Sequence, residues 1–158
     1  MSQNLTNQVL EFPDSTSGDV HFDDKEALDH FIIRDGKRHA GTHLIIDLYG
    51  ATHLTDKSYM EQAFHECVEA CGATLLHMHV HTFLPSGGLS GVAVLAESHI
   101  SVHTWPEASY AAFDVFMCGD AMPERAVPIL EKAFSAKRVA VGTHLRGSKI
   151  EQDIGVAP

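Results

Sequence analysis

An α+β domain, a two-layer sandwich with two helices on one face of a mainly antiparallel sheet, is the fold class this sequence predicts, and three observations predict it. Two segments carry apolar residues at the three- and four-residue steps of an amphipathic helix, while the other apolar runs are short and strand-like. Those runs are joined by brief links bearing Pro and Gly, too short for the crossover helices that parallel strands need. At 158 residues and 44% hydrophobic, the chain can bury one core without disulfide or metal support. The resulting order is a pseudo-repeat, βαββ followed by ββαβ.

Residues 1 to 38 are polar and mixed, with Pro13 to Asp19 reading as loop, so they are expected to form a flexible N-terminal arm. The domain proper spans 39–150, and 151–158 is a C-terminal tail. Its first strand falls at 43 to 49, rich in Ile and Leu. A helix capped by Thr55 or Asp56 follows and ends at Gly72, with Met60, Phe64, Cys67, Val68 and Cys71 on one apolar face. Strand-like runs come next at about 73 to 84, 89 to 97, 99 to 104 and 109 to 117. A second helix is predicted over 123 to 135, with Pro123 in its first turn and an apolar stripe of Val127, Leu130 and Phe134; Lys137 to Leu145 is the closing strand. A sheet covered on one side leaves an apolar face to bury, which favours a homodimer.

Twenty-one acidic against eleven basic residues give a formal charge of −10, which argues against nucleic acid and suits a cationic small molecule. No apolar stretch is long enough to cross a bilayer, and the N-terminus lacks a basic region followed by an apolar run, so no membrane association is expected. Cys67, Cys71 and Cys118 are an odd set with no Cys-x-x-Cys pair, which fits the cytoplasm.

The chemistry-bearing stretch is Ala96-Glu97-Ser98-His99-Ile100-Ser101-Val102-His103, running into Thr104-Trp105-Pro106-Glu107. If Ile100, Val102 and Thr104 point to one side of a strand, Ser101 and His103 point to the other, with Ser98 at the strand's start, where an imidazole could serve a neighbouring serine. On spacing alone a half-buried strand with solvated polar residues is the commoner account of such a pattern.

Together with Gly87-Gly88-Leu89-Ser90-Gly91 before it and Tyr110 to Gly119 after it, this stretch resembles the bacterial S-adenosylmethionine decarboxylases, a pyruvoyl-dependent proenzyme family; Gly41 to Gly50 and Lys137 to Gly147 are similar to its first and last strands. The resemblance covers about residues 41 to 147. It implies self-cleavage between Glu97 and Ser98, with Ser98 becoming a covalent pyruvoyl group that captures the substrate amine as a Schiff base. Decarboxylating an α-amino acid needs such a carbonyl, because no ordinary side chain accepts the electrons left on Cα.

By the same resemblance His103 is the base of the processing elimination, Ser90 supports the ester intermediate, and Glu97 is the cleavage-site partner. Cys118 is the proton donor to Cα; Phe83 stacks the adenine and Glu107 holds the ribose hydroxyls. The implied activity is a carboxy-lyase making decarboxylated S-adenosylmethionine, the aminopropyl donor for spermidine, and carbon dioxide. The chain departs from the family pattern with His79-Val80-His81-Thr82 before Phe83 and an extra residue in Ser86-Gly87-Gly88-Leu89, which implies a different pocket wall. The same chemistry on arginine or ornithine is an alternative. A further one is a His-rich metal-binding protein or metallohydrolase, because His77, His79 and His81 alternate on one strand.

Overall fold

The computed structural model describes residues 30–147. A short hairpin, β1 (Ile32–Arg34) and β2 (Lys37–His39), precedes the domain. The domain then runs β3 (Gly41–Tyr49), α1 (Lys57–Cys71), β4 (Leu75–Thr82), β5 (Leu89–Leu95), β6 (Ser98–Trp105), β7 (Tyr110–Met117), α2 (Ala126–Ala133) and β8 (Arg138–Arg146). The last six strands form one sheet in the order β4-β5-β6-β7-β3-β8, with every neighbouring pair antiparallel. This is the α+β sandwich that the short links and the two helical stripes predict.

The hairpin falls at the end of the stretch expected as an arm, and there the chain is ordered strand and turn. Asp35 and Gly36 sit at φ 51° and 71°, the two positive values that a type I′ turn requires, and Ile32 pairs with His39 across it. The remainder of that arm and the whole 151–158 tail lie outside the described residues.

The sheet's two faces differ sharply. Leu44, Ile46 and Leu48 of β3, Ile100 and Val102 of β6, and Phe113, Val115 and Met117 of β7 are buried, as period-2 alternation requires. The helices cover that face. Asp56 caps α1 by accepting a hydrogen bond from Tyr59 N at 3.0 Å, and Gly72 closes it at φ 71°. All five of the apolar positions read on α1, from Met60 to Cys71, are buried. Phe64 of α1 meets Phe113 edge-on at 6.4 Å between ring centres, and Phe134 at the end of α2 meets the same ring at 5.6 Å. Removing such a shared ring by Phe→Ala costs about 3–5 kcal/mol. The second helix is shorter than predicted, because Pro123–Arg125 form a 3-10 turn before it and Phe134 leaves the helix at ψ 7°.

The opposite face carries no helix among the described residues. It presents Ile45, Val92, Val94 and Trp105, each 37–42% exposed, together with His43, Asp114, His99 and the β4 histidines.

Candidate active site

Strand β6 has chemistry at both ends. At its start, Ala96 and Glu97 make the tight connection from β5, and Glu97 lies at φ 64°, a left-handed conformation that costs a non-glycine residue on the order of 1–3 kcal/mol. Ser98 then opens the strand on the helix-covered side and is 8% exposed. Cys118, one residue past β7, reaches both residues of the junction. Its Sγ donates to the Glu97 carbonyl at 3.1 Å, its backbone N–H donates to Ser98 Oγ at 3.4 Å, and thiol and hydroxyl stand 3.9 Å apart. A strained peptide carbonyl, a sheltered hydroxyl and a thiol are thus gathered in one place. Residues of that kind fit the making of a carbonyl group from the chain itself.

His30 completes this end. Its carbonyl accepts from Gly119 N–H at 2.8 Å, and its Nε2 lies 3.0 Å from Glu97 Oε1. No sequence signal marks His30, because its position depends wholly on where the preceding hairpin docks.

At the other end of β6, a shallow cavity of about 270 Å³ is lined by Phe83, Ser86, Gly88, Leu89, His103, Thr104, Trp105 and Glu107. Ser90 faces His103 across the β5–β6 ladder. Phe83, 51% exposed, is braced edge-on by His81 at 4.7 Å. Thr104, named in sequence only as the core-facing neighbour of His103, positions this end. Its buried hydroxyl accepts from Leu89 N–H at 2.7 Å and donates to the Leu54 carbonyl at 2.9 Å, tying β6 to β5 and to the loop before α1. Trp105 was likewise not singled out. It lies 6.2 Å from the His103 ring and 5.2 Å from Tyr110, whose hydroxyl donates to Asp47 at 2.5 Å and whose pKa that bond raises to about 12.

The predicted site residues therefore fall into two groups, Glu97 with Ser98 and Cys118, and Ser90 with His103, Phe83 and Glu107. Ser98 and His103 are five positions apart on β6, roughly 16 Å at strand rise, and their side chains project to opposite faces. Within one chain His103 does not stand beside Ser98, which corrects the expectation of an imidazole and a serine paired on one strand.

Other candidates of the sequence resolve simply. Cys67 and Cys71 are fully buried on α1; desolvation pushes the Cys67 thiol far up and the Cys71 thiol to about 11, so both behave as small apolar groups. His77, His79 and His81 do share the open face, paired to Val94, Val92 and Ser90. Among the described residues no three His, Cys, Asp or Glu side chains are grouped so as to hold a metal ion. No helix among them is long and apolar enough to cross a membrane.

Known proteins resemble this chain in sequence and fold. The sequence model of the S-adenosylmethionine decarboxylase family matches residues 42–147. The chain is 41% identical over 112 residues to an S-adenosylmethionine decarboxylase proenzyme of Thermomicrobium roseum, covering 70% of this chain and 97% of that protein. It is 46% identical over 110 residues to the corresponding proenzyme of Methanococcus maripaludis strain S2, covering 68% and 89%. The crystal structure of the adenosylmethionine decarboxylase from Aquifex aeolicus superimposes with a TM-score of 0.60 at 33% identity, covering 69% of this chain and 92% of that one. The same strand of β6 with its two chemical ends thus lies inside the matched region, and this chain belongs to the S-adenosylmethionine decarboxylase family of carboxy-lyases.

Proposed function

We propose that this chain cleaves itself between Glu97 and Ser98 and, as a homodimer carrying a pyruvoyl group made from Ser98, decarboxylates S-adenosylmethionine to the aminopropyl donor of spermidine synthesis. The observation that carries this reading is the junction itself, where the left-handed Glu97 and the Ser98 hydroxyl are both hydrogen-bonded by Cys118.

Ser98 Oγ attacks the Glu97 carbonyl carbon, the C–N bond breaks, and the hydroxyl proton ends on the Ser98 nitrogen, leaving an ester. Loss of the Ser98 α-proton then expels the Glu97 carboxylate from Cβ, giving dehydroalanine; water enters, ammonia leaves, and a ketone remains at the new N-terminus. The thiol bond to the Glu97 oxygen stabilises the charge that develops there during attack. The finished pyruvoyl group supplies the electron sink for decarboxylation.

The base for the α-proton must come from elsewhere, because His103 of the same chain is roughly 16 Å along the strand. A second copy supplies it. In a two-fold interface residue i of one copy meets j of the other and j meets i, so stacking the open faces about an axis near the middle of β6 sets the Ser98 end against the partner's His103 end. The exposed Ile45, Val92, Val94 and Trp105 on the uncovered face favour that stacking. The cavity of about 270 Å³ also falls under the roughly 300–1,000 Å³ of sites that enclose a ligand of drug-like size, which suits half of a composite site. There Phe83 stacks the adenine, Glu107 accepts from the ribose hydroxyls, and the aromatic face attracts the sulfonium. Ser90 supports the ester, and Cys118 returns a proton to the substrate Cα after carbon dioxide leaves.

Intact-mass analysis of purified protein tests the reading. The expected result is two fragments, residues 1–97 and 98–158, with the second blocked by a ketone that borohydride and S-adenosylmethionine together convert to an adduct. Ser98→Ala is expected to stay a single chain and to release no carbon dioxide. Cleavage persisting in that variant, or carbon dioxide released from arginine or ornithine in preference, defeats the assignment.

A further inference from the structure

Three segments meet at the Glu97-Ser98 junction, and one of them comes from ahead of residues 42–147, the region that the family's sequence model matches. That segment ends in the β1–β2 hairpin, and its contribution is His30. Its backbone carbonyl is anchored by Gly119 N–H at 2.8 Å, next to the Cys118 that holds the junction. A Cβ on Gly119 would stand 3.7 Å from His30 Nδ1, so the imidazole lies over that glycine, and its Nε2 reaches the Glu97 carboxylate at 3.0 Å.

We propose that His30 is a positioning residue for self-cleavage: by holding the Glu97 side chain it keeps Glu97 in the left-handed conformation that offers its carbonyl to the Cys118 thiol and the Ser98 hydroxyl. The proposal rests on the reading of Glu97-Ser98 as the severed bond. A glutamate at φ 64° is strained and relaxes into the extended region unless its surroundings hold it. The Cys118 thiol ties the carbonyl end of the residue, and the His30 imidazole ties the side-chain end. With both ends fixed, rotation about the Glu97 backbone is blocked. His30 exchanges no proton with the reacting atoms. Its pair with Glu97 is about half exposed, with side chains 43% and 55% accessible, so it acts by orientation and contributes little to stability.

The test follows cleavage over time in the full-length chain, as the ratio of intact protein to the 1–97 and 98–158 fragments. His30→Ala is expected to slow cleavage up to about fivefold, the upper end of what a partly exposed ion pair supplies. His30→Gln, whose amide still donates to the carboxylate, restores most of the rate, and His30→Phe, which keeps a ring over Gly119 but no donor, does not. Turnover per cleaved site is unchanged in all three. Wild-type cleavage rates in His30→Ala or His30→Phe, or no rescue by Gln, overturn the proposal while leaving self-cleavage standing. A wild-type chain that never cleaves removes both.

Discussion

The two ends of β6 are built on opposite principles. At the Ser98 end the serine hydroxyl is buried beside an exposed Glu97, and the groups are held largely by backbone: a left-handed Glu97, a Cys118 amide assisted by its thiol, and a Gly119 that anchors His30. At the His103 end the groups are open and held by side chains, with Phe83 half exposed on His81, Trp105 spread between His103 and Tyr110, and only the Thr104 hydroxyl buried beneath them. Bond making within the chain needs fixed geometry, since an unactivated hydroxyl is a poor nucleophile. Capturing a ligand needs a surface to which it has access. A strand is rigid enough to keep the two separate and, in a two-fold dimer, to bring each to the other's counterpart.

The contrast breaks most visibly in Cys118→Ala and Glu107→Ala. If Cys118 is the proton donor proposed for the substrate Cα, loss of its thiol is expected to lower kcat per cleaved site by about 10²–10⁴-fold. If Glu107 holds the substrate as proposed, loss of its carboxylate is expected to raise KM roughly tenfold or more with a smaller change in kcat. Co-expression of the two variants sharpens the comparison. If each site draws one end from each subunit, mixed dimers hold one unimpaired site, about a quarter of all sites under random pairing, and that share of kcat/KM returns. No recovery means that single chains hold complete sites. A comparable effect on KM is expected of Phe83→Ala, where a stacking contact of about 1–3 kcal/mol corresponds to a rise of roughly 5–150-fold. A change confined to kcat would place Phe83 outside the binding surface.

Much of this was legible in sequence because it follows from local rules. The α1 boundaries are written in Asp56 and Gly72, and its buried face in the spacing from Met60 to Cys71. The alternation of Ile100, Val102 and Thr104 against Ser101 and His103 correctly assigns the two sides of β6. The hairpin was signalled too, since Asp35-Gly36 shortly after the β-branched Ile32-Ile33 is a strong two-residue turn pattern, though the polar stretch ahead of it suggested an arm. What periodicity could not supply was where the strand begins. Ser98 and His103 are five residues apart in sequence, which on an extended strand already sets them at separate ends, but the predicted strand begins at about residue 99 and leaves Ser98 only at its edge, whereas β6 begins at Ser98 itself. His30 is invisible in sequence because its partners Glu97 and Gly119 lie far away in the chain.

The smallest effect concerns the residue beside the buried serine. His99 follows Ser98 but faces the open side, stacked on Phe116 at 5.7 Å. Burial, and then the nearby His43, hold its pKa below the ordinary histidine value, while Asp114 pulls the other way. The neutral ring is therefore the form that the fold prefers. Above the unfolded value of about 6.5 both states are neutral and the preference costs nothing. As pH falls below that value the unfolded chain takes up the proton first, so stability declines until the folded ring is protonated as well. Thermal midpoints at pH 7.5 and 5.5 are expected to differ less in His99→Gln than in the wild type, by a few degrees at most. If a second copy covers the open face as proposed, it buries the ring further, and the wild-type decline is then expected to deepen as protein concentration rises and dimers fill. Equal declines in both proteins at every concentration would mean that the sheet face beside Ser98 stays open to water.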